Sequence, residues 1–410
     1  MRDSEKIMEK TSLKPLVILE QGRVPAAPRV AQISCCAPGA RASGSAAVCA
    51  GAFGADSVPE ILGKAVIGEI ETSYGRVPVV SADISRRDRW NELRCRLGNF
   101  RMNYAIPPGI YAVGSPRPDS DVLVSANYKL SFDRLRGALA GRDLWILVID
   151  TAGINVWCAA GKGTFGTDEL ARRIGIHGLG GMVTHRRIIV PQLGAPGVSA
   201  AEVKKRTGFR VHFGPVRASD IPAYLDAGLK ATPGMREVGF GLVDRLVLTP
   251  LEFVPAMKMF PLAALIILAV SGLEMNGILF GAAWRNGAPV VLLLFAAVVA
   301  GAFLVPLVLP FIPFRSFALK GFLAGAAVNA LLLHGVDILP GRDAYLTAFS
   351  YLLFPVISSY LALQFTGATA YTGISGVKKE LKYALPVYAV FCVLSAAALV
   401  AWKLAGWGLI

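Results

Sequence analysis

No CxxC pair occurs in this chain. Its six cysteines, Cys35, Cys36, Cys49, Cys95, Cys158 and Cys392, stand alone except for the adjacent first two. That spacing excludes a zinc ribbon or a cysteine-ligated iron–sulfur cluster, and a cytoplasmic location would keep the thiols reduced. The opening MRDSEKIMEK is polar and has no apolar core, so no signal peptide is expected. The formal charge of +14 comes from scattered residues, with no basic run interleaved with exposed aromatics, which argues against nucleic acid as a partner. Acidic residues are scarce beyond about residue 255, where Leu, Ala, Val and Phe take over.

That shift divides the chain. Hydrophobic residues make up 54% of the 410 positions, and their uneven spread fits a soluble domain followed by a membrane domain. Residues 24–58 are rich in Ala, Gly, Ser and Pro and lack periodicity. Residues 1–80 are therefore expected as a flexible N-terminal extension, with Cys35 and Cys36 incidental rather than a metal pair. From about residue 107, IYAV, DVLVSA, LWILVID, RIIVPQ and RVHFGPV read as strands. YKLSFDRLRGALAG, TDELARRIG with Thr167 as N-cap, AEVKKRTG, and SDIPAYLDAG capped by Ser219 read as helices. Continuous apolar strands alternating with helices predict a Rossmann-like α/β domain with a mainly parallel sheet over residues 81–250. Such sheets bind ligands in the loops that follow their strands. The stretch INVWCAAGKGTFG follows LWILVID in that kind of loop.

Residues 256–410 are expected to form an all-α transmembrane domain of about five helices, each near the ~20 residues a bilayer requires. The segments are roughly 257–273, 288–312, 316–335, 344–365 and 384–405. Arg315, Lys320, Lys378, Lys379 and Lys382 fall at breaks on one side, and Arg285 and Arg342 on the other. The positive-inside rule then places the α/β domain in the cytoplasm and the chain, multi-pass, in the cytoplasmic (inner) membrane. The glycine-rich FTGATAYTGISGVKKELK (365–382) faces the α/β domain in this topology. It is either a plain loop or a surface that receives that domain or its cofactor.

AAGKGT in the cysteine loop is not a phosphate loop. Val156 stands where a Walker A motif needs its first glycine, and Gly163 where it needs Ser or Thr. A Cys–His pair stays open, with His177, His185 and His212 as partners that spacing does not select. A third reading takes Asn155 as an N-cap and Val156 to about Lys162 as a short helix. Cys158 then lies in the first turn, where the positive helix end favours a thiolate. Gly161 is one turn on, and Ala159 and Ala160 are small. The helix would offer a flat surface carrying one soft ligand, on which a large planar macrocycle could rest. The plainer alternative is a buried structural cysteine.

NVWCAAGK (155–162) is the signature by which the chain resembles the HgcA family, the membrane-anchored corrinoid proteins of mercury methylation. The likeness extends through PRPDSDVLVSANYKLSFDRLRGAL, GKGTFGTDELARRI, HRRIIVPQLGAPGV and GFRVHFGPVRASDIPAYL, over roughly 85–250, and to TGATAYTGISGVKKE in the membrane half. The large subunit of the corrinoid iron–sulfur protein shares parts of this fold without the WC motif or the membrane domain. The resemblance implies a cobalamin-type corrinoid bound base-off, with Cys158 as the lower axial ligand of its cobalt and as the catalytic residue. It implies that Asn155, Val156, Trp157, Ala159, Ala160, Gly161 and Lys162 shape the cap. Ser125 and Asn127 would also contact the cofactor; they lie in VSANYK, where the family usually has VTANYK. It further implies methyl transfer to Hg(II), a methyltetrahydrofolate-linked methyl donor, and a ferredoxin-like partner with two [4Fe–4S] clusters, HgcB. The DxHxxG motif of other corrinoid proteins is not encoded, because Gly175 replaces the aspartate before His177. Two further functions stay open. One is a membrane-anchored corrinoid methyl carrier of one-carbon metabolism without a mercury role. The other is a transporter, for which Glu274, Asn276, Asn329, His334 and Gln364 would mark a path.

Overall fold

The computed structural model describes residues 61–339 and 343–410; Cys35, Cys36 and Cys49 lie outside the described residues. Two strands, β1 (Val66–Thr72) and β2 (Gly75–Val80), form an antiparallel hairpin at the edge of the main sheet. This corrects the expectation of a flexible extension as far as residue 80. The hairpin is ordered because Val77 and Val80 are buried against the sheet core, which offsets the entropy of fixing a short edge pair. Helix α1 (Arg86–Leu97) has no apolar stripe, so periodicity misses it. Its start is set by a capping box in which Asp88 N donates to Ser85 Oγ (3.1 Å) and Ser85 N to Asp88 Oδ2 (3.1 Å).

The sheet continues with β3 (Gly109–Val113), β4 (Val122–Ala126), helix α2 (Lys129–Ala138), β5 (Leu144–Ile149), and helices α3 (Val156–Lys162), α4 (Thr167–Ile176) and α5 (Leu179–Met182). It closes with β6 (Arg187–Val190), α6 (Ala200–Thr207), β7 (Arg210–Phe213) and α7 (Ile221–Asp226). The strand order is β1-β2-β3-β5-β4-β6-β7. Strands β5, β4, β6 and β7 are mutually parallel, as expected, whereas β3 runs antiparallel to β5. The short link 114–121 between β3 and β4 contains no crossover helix, so the chain must reverse there. Every residue of β3, β4 and β5 is buried, because the sheet has helices on both faces. Val156, Ala159, Phe165 and Leu170 of the α3–α4 region pack on one face; Phe132 and Leu135 of α2 and Tyr224 of α7 pack on the other. From β4 the chain moves to β5 on one side and then returns to β6 on the other. The order therefore reverses at β4, and the carboxyl end of such a strand is where sheets of this kind bind ligands.

Two expected caps differ. Helix α4 begins at Thr167 with Gly166 as N-cap, and Thr167 Oγ1 instead accepts from Ser199 N (2.8 Å). Ser219 lies in a 3-10 turn before α7, and its hydroxyl donates to Asp220 Oδ1 (3.3 Å).

Five helices beyond the α/β domain are long and apolar enough to cross a membrane: Leu242–Gly272, Phe280–Val308, Phe317–Gly335, Ala344–Ala368 and Ser375–Gly406. The first, second and fifth begin well before the apolar runs from which they were inferred. Their leading turns carry Arg245, Glu252 and Lys258, or Lys378, Lys379 and Lys382, which are compatible with a helix but not with a hydropathy window. Most of GISGVKKELK is consequently helical, and only a 3-10 turn (Phe365–Ala368) and the residues up to 374 connect the last two helices.

Candidate functional site

The site is built from the loop after β5. Asn127, the first residue beyond β4, is buried and reaches across to this loop. Its Oδ1 accepts from Thr151 N and Gly153 N (both 3.0 Å), and its Nδ2 donates to Asp150 Oδ1 (3.1 Å). Asp150 Oδ1 also accepts from Ala152 N (2.9 Å), and Thr151 Oγ1 donates to Ile154 O (2.7 Å). These bonds hold a turn in which Ala152 adopts φ 55°, a left-handed conformation that costs a non-glycine residue about 1 kcal/mol. Glu169 of α4 secures the turn from outside by accepting from Asp150 N (3.0 Å) while paired with Arg172 (2.7 Å) and Arg173 (2.6 Å). Burial works to raise the Glu169 pKa, but the bonds from Arg173, Asp150 N and Arg172 outweigh it and hold the carboxyl below its ordinary value.

From this turn α3 starts as expected. Asn155 Oδ1 accepts from Cys158 N (3.0 Å), the N-cap bond that its residue type favours. The helix stops at Gly163, which takes φ 81°, and Thr164 N donates back to Ala159 O (3.0 Å). GKG is thus a helix stop. Underneath, the loop after β6 comes very close. A Cβ on Gly197 would lie 2.1 Å from Phe165 O, and one on Gly194 would lie 2.4 Å from the Phe165 ring. The glycines of PQLGAPGV are needed for this approach, and buried Phe165 is the plug between loop and helix.

The faces of α3 then separate. Val156, Ala159 and Ala160 are buried in the core, so they hold the helix down and do not form its outer surface. Trp157 is 44% exposed, Cys158 is half-buried, and Lys162 is exposed. A Cβ built on Gly161 meets no atom within 4 Å. The outer face therefore consists of Trp157, Cys158 and Gly161, with Asn155 and Lys162 at its ends. Among the described residues the Cys158 thiol has no hydrogen-bond partner, and no histidine is joined to it. His185 bonds to Ser120 O (2.9 Å), and both it and Ser120 precede the strands they flank, at the opposite end of the sheet. His177, at the end of α4, has a buried Nε2 without a partner, and burial, then Arg173 and Arg172, push its pKa down. His212 lies within β7, its pKa lowered by burial and by Arg210 and Arg187.

Ser125 and Asn127 lie at the carboxyl end of β4, beside this loop, but are buried. Ser125 is buried, and its hydroxyl donates to Ala126 O (3.2 Å); Asn127 is engaged in the loop network. Among the described residues no three His, Cys, Asp or Glu side chains are grouped as a metal site. A metal at Cys158 would have to bring most of its own ligands.

Sequence reasoning missed a second buried network. Lys129 lies between Asp88 (2.9 Å) and Asp133 (2.6 Å), and Arg136 reaches Asp133 (2.8 Å), Asp88 (2.9 Å) and the carbonyls of Ser81 (2.6 Å) and Asp83 (2.8 Å). It clamps α1 onto α2. The i, i+4 spacing of Lys129 and Asp133 was its only visible sign.

Residues 99–225 match the family model described as CO dehydrogenase/acetyl-CoA synthase delta subunit. The match includes α3 and stops before the first membrane-length helix. Similar proteins are gamma subunits of the acetyl-CoA decarbonylase/synthase complex. That of Methanopyrus kandleri is 31% identical over 135 residues, 32% of this chain and 29% of the relative. That of Methanothermobacter thermautotrophicus is 33% identical over 128 residues, 31% and 28% of the two chains. That of Methanocaldococcus jannaschii is 28% identical over 134 residues, 32% and 27%. The likeness thus spans less than a third of the length of these relatives and is confined to about a third of this chain.

Proposed function

We propose that this chain is a membrane-anchored corrinoid protein that passes a methyl group from a donor to an acceptor, with Cys158 as the residue that would hold the cobalt. One observation carries the reading: a half-buried, unpartnered thiol is offered from a capped helix in the loop that follows β5, at the carboxyl end of the parallel strands β4 and β5. The residues fit such a group. A corrin ring brings four of its own nitrogen ligands, which suits a site with a single soft donor. The open space above Gly161 and the exposed ring of Trp157 leave room for a flat macrocycle.

When bound, the corrinoid would supply a metal able to take up and give away a methyl group, and Cys158 would supply the soft protein donor to it. The chain's own part is orientation. Asn155 spends its side chain on the backbone of Cys158, so the first turn is rigid where the sulfur leaves it. The Asn127–Asp150–Glu169 network fixes the turn before it. The cysteine spacing encodes no cluster, so low-potential electrons would come from a ferredoxin-like partner.

Two acceptors are supported by different observations. Similarity to subunits of acetyl-CoA decarbonylase/synthase favours a methyl carrier of one-carbon metabolism linked to methyltetrahydrofolate. The intact NVWCAAGK helix, together with five apolar helices that the family match does not reach, supports the second reading: transfer to Hg(II) with HgcB as partner. The test uses full-length protein loaded with corrinoid. Cys158→Ala should change the visible absorption spectrum and cut methyl transfer by at least about a hundredfold, the ~3 kcal/mol of a lost strong ligand. An unchanged spectrum would end the proposed ligation. Methylmercury production on addition of Hg(II), a methyl donor and reduced ferredoxin separates the acceptors, and its complete absence leaves only the one-carbon reading.

A further inference from the structure

At the end of the helical half nearest the α/β domain, the third and fifth membrane-length helices diverge around a groove of about 1190 Å³. Its walls are Phe317, Phe322, Val387 and Phe391, and its mouth carries Arg315 and Lys379. Both cations are exposed, and neither has an ion-pair partner among the described residues. The one acid in the lining, Glu380, is committed elsewhere: it accepts from Ser316 Oγ (3.0 Å) and Ala318 N (3.1 Å) and so caps the third helix. Lys320 is committed too, donating to Leu309 O (2.6 Å). What remains at the mouth is net positive charge above an aromatic, apolar trough.

The dimensions agree with the chemistry. From Lys379 to Phe391 the fifth helix descends just over three turns, roughly 18 Å, close to the ~15 Å of hydrocarbon in one leaflet. Basic pockets between helices on the cytoplasmic side suit anionic headgroups. We propose that this groove seats an acyl chain of one anionic glycerophospholipid, whose phosphate is held by Arg315 and Lys379. Tyr371 and Thr372 of the glycine-rich connection border the same mouth, so the lipid headgroup would lie against the segment on which the linker residue Phe240 packs.

The inference rests on reading the five helices as membrane spans, and the two claims are tested separately. Resistance of the full-length chain to carbonate extraction from membranes tests the spans. For the groove, full-length protein in mild detergent is offered equal phosphatidylglycerol and phosphatidylcholine, and retained lipid is counted by native mass spectrometry. Wild type should keep one phosphatidylglycerol in preference. Arg315→Gln and Lys379→Gln should each reduce that preference roughly fivefold, the ~1 kcal/mol per cation at an anionic surface. Arg285→Gln, in the second turn of the second membrane-length helix and outside the groove lining, should leave it intact. Val387→Trp, which fills the groove, should lower retention of both lipids at an unchanged unfolding temperature. No preference in wild type, a preference that survives Arg315→Gln and Lys379→Gln combined in one chain, or displacement of the lipid by excess inorganic phosphate would each overturn the proposal.

Discussion

Ala152 and Gly161 bracket the cysteine and make opposite demands. Ala152 occupies a left-handed position that the Asp150 carboxylate and the Asn127 amide help to sustain. Ala152→Gly should therefore stabilise the fold by about 0.5–1 kcal/mol, read as a rise in the denaturant midpoint; a fall would mean the turn is not strained. Gly161 faces open space, so Gly161→Leu should leave the midpoint level or slightly raised, since leucine is the better helix former. The same substitution should weaken corrinoid affinity by at least about tenfold, the ~1.4 kcal/mol of a modest steric mismatch, as measured by titration. Equal affinity in the two proteins would remove Gly161 from the binding face. At this scale the sequence showed that Cys158 lies in the first turn of a short helix. It did not show that Ala159 and Ala160 point into the core, because flat platform and buried anchor are both served by small residues.

Helices α1 and α2 are held together by charge, and this has a pH signature. Burial acts to raise the Asp88 pKa, but hydrogen bonds from Lys129 and Ser85 and the charges of Lys129 and Arg136 bring it down from 3.8 to about 2. A carboxyl lowered on folding stabilises above its unfolded value and loses that contribution as pH falls toward the folded one. The loss should fall between about pH 4 and pH 2 and amount to about 2 kcal/mol. Lys129 behaves in the opposite sense. Burial disfavours its charge, yet Asp133 and Asp88 hold its pKa above 10.5; its contribution is complete below that value and disappears as pH rises through the raised one. The contribution of this clamp should thus be constant between these limits, as followed by chemical unfolding of wild type and of Asp88→Asn across pH; the lowered His177 and His212 add a separate rise near neutral pH. An Asp88→Asn variant that kept the acid-side loss unchanged would place its origin elsewhere. None of this was visible in RRDRWNELRCRL, which has charges at every face and no stripe.

At the scale of the whole molecule, an aromatic cluster ties the linker to the helical half. Phe240, in the linker after α7, stacks edge-on against Tyr371 (5.5 Å between centroids) and lies 6.3 Å from Phe365. Tyr371 of the TGATAY connection thus touches the linker that precedes the first apolar helix. Phe240→Ala should speed limited proteolysis between residues 237 and 241 several-fold while leaving the unfolding of the α/β domain unchanged, since losing an aromatic pair costs about 0.5–1.5 kcal/mol beyond its buried area. Unaltered cleavage would show that the cluster does not restrain the linker.

The sequence by itself determined the alternation of apolar strands and helices, the number of apolar helices, and the short helix bearing Cys158. Each of these is a local pattern: strand runs, bilayer-length stretches, an Asn cap and a Gly stop read directly from neighbouring residues. Only the tertiary structure decided that β3 runs backwards, that residues 66–80 join the sheet, and that Asn127 and Glu169 lock the cysteine turn. It alone showed that α1 is clamped by Lys129 and Arg136. Those facts depend on contacts between residues tens of positions apart, such as Asn127 with Gly153 or Arg136 with Ser81. Hydrogen bonds and buried ion pairs at that separation leave no periodic trace in the chain, because their partners become neighbours only when the sheet closes.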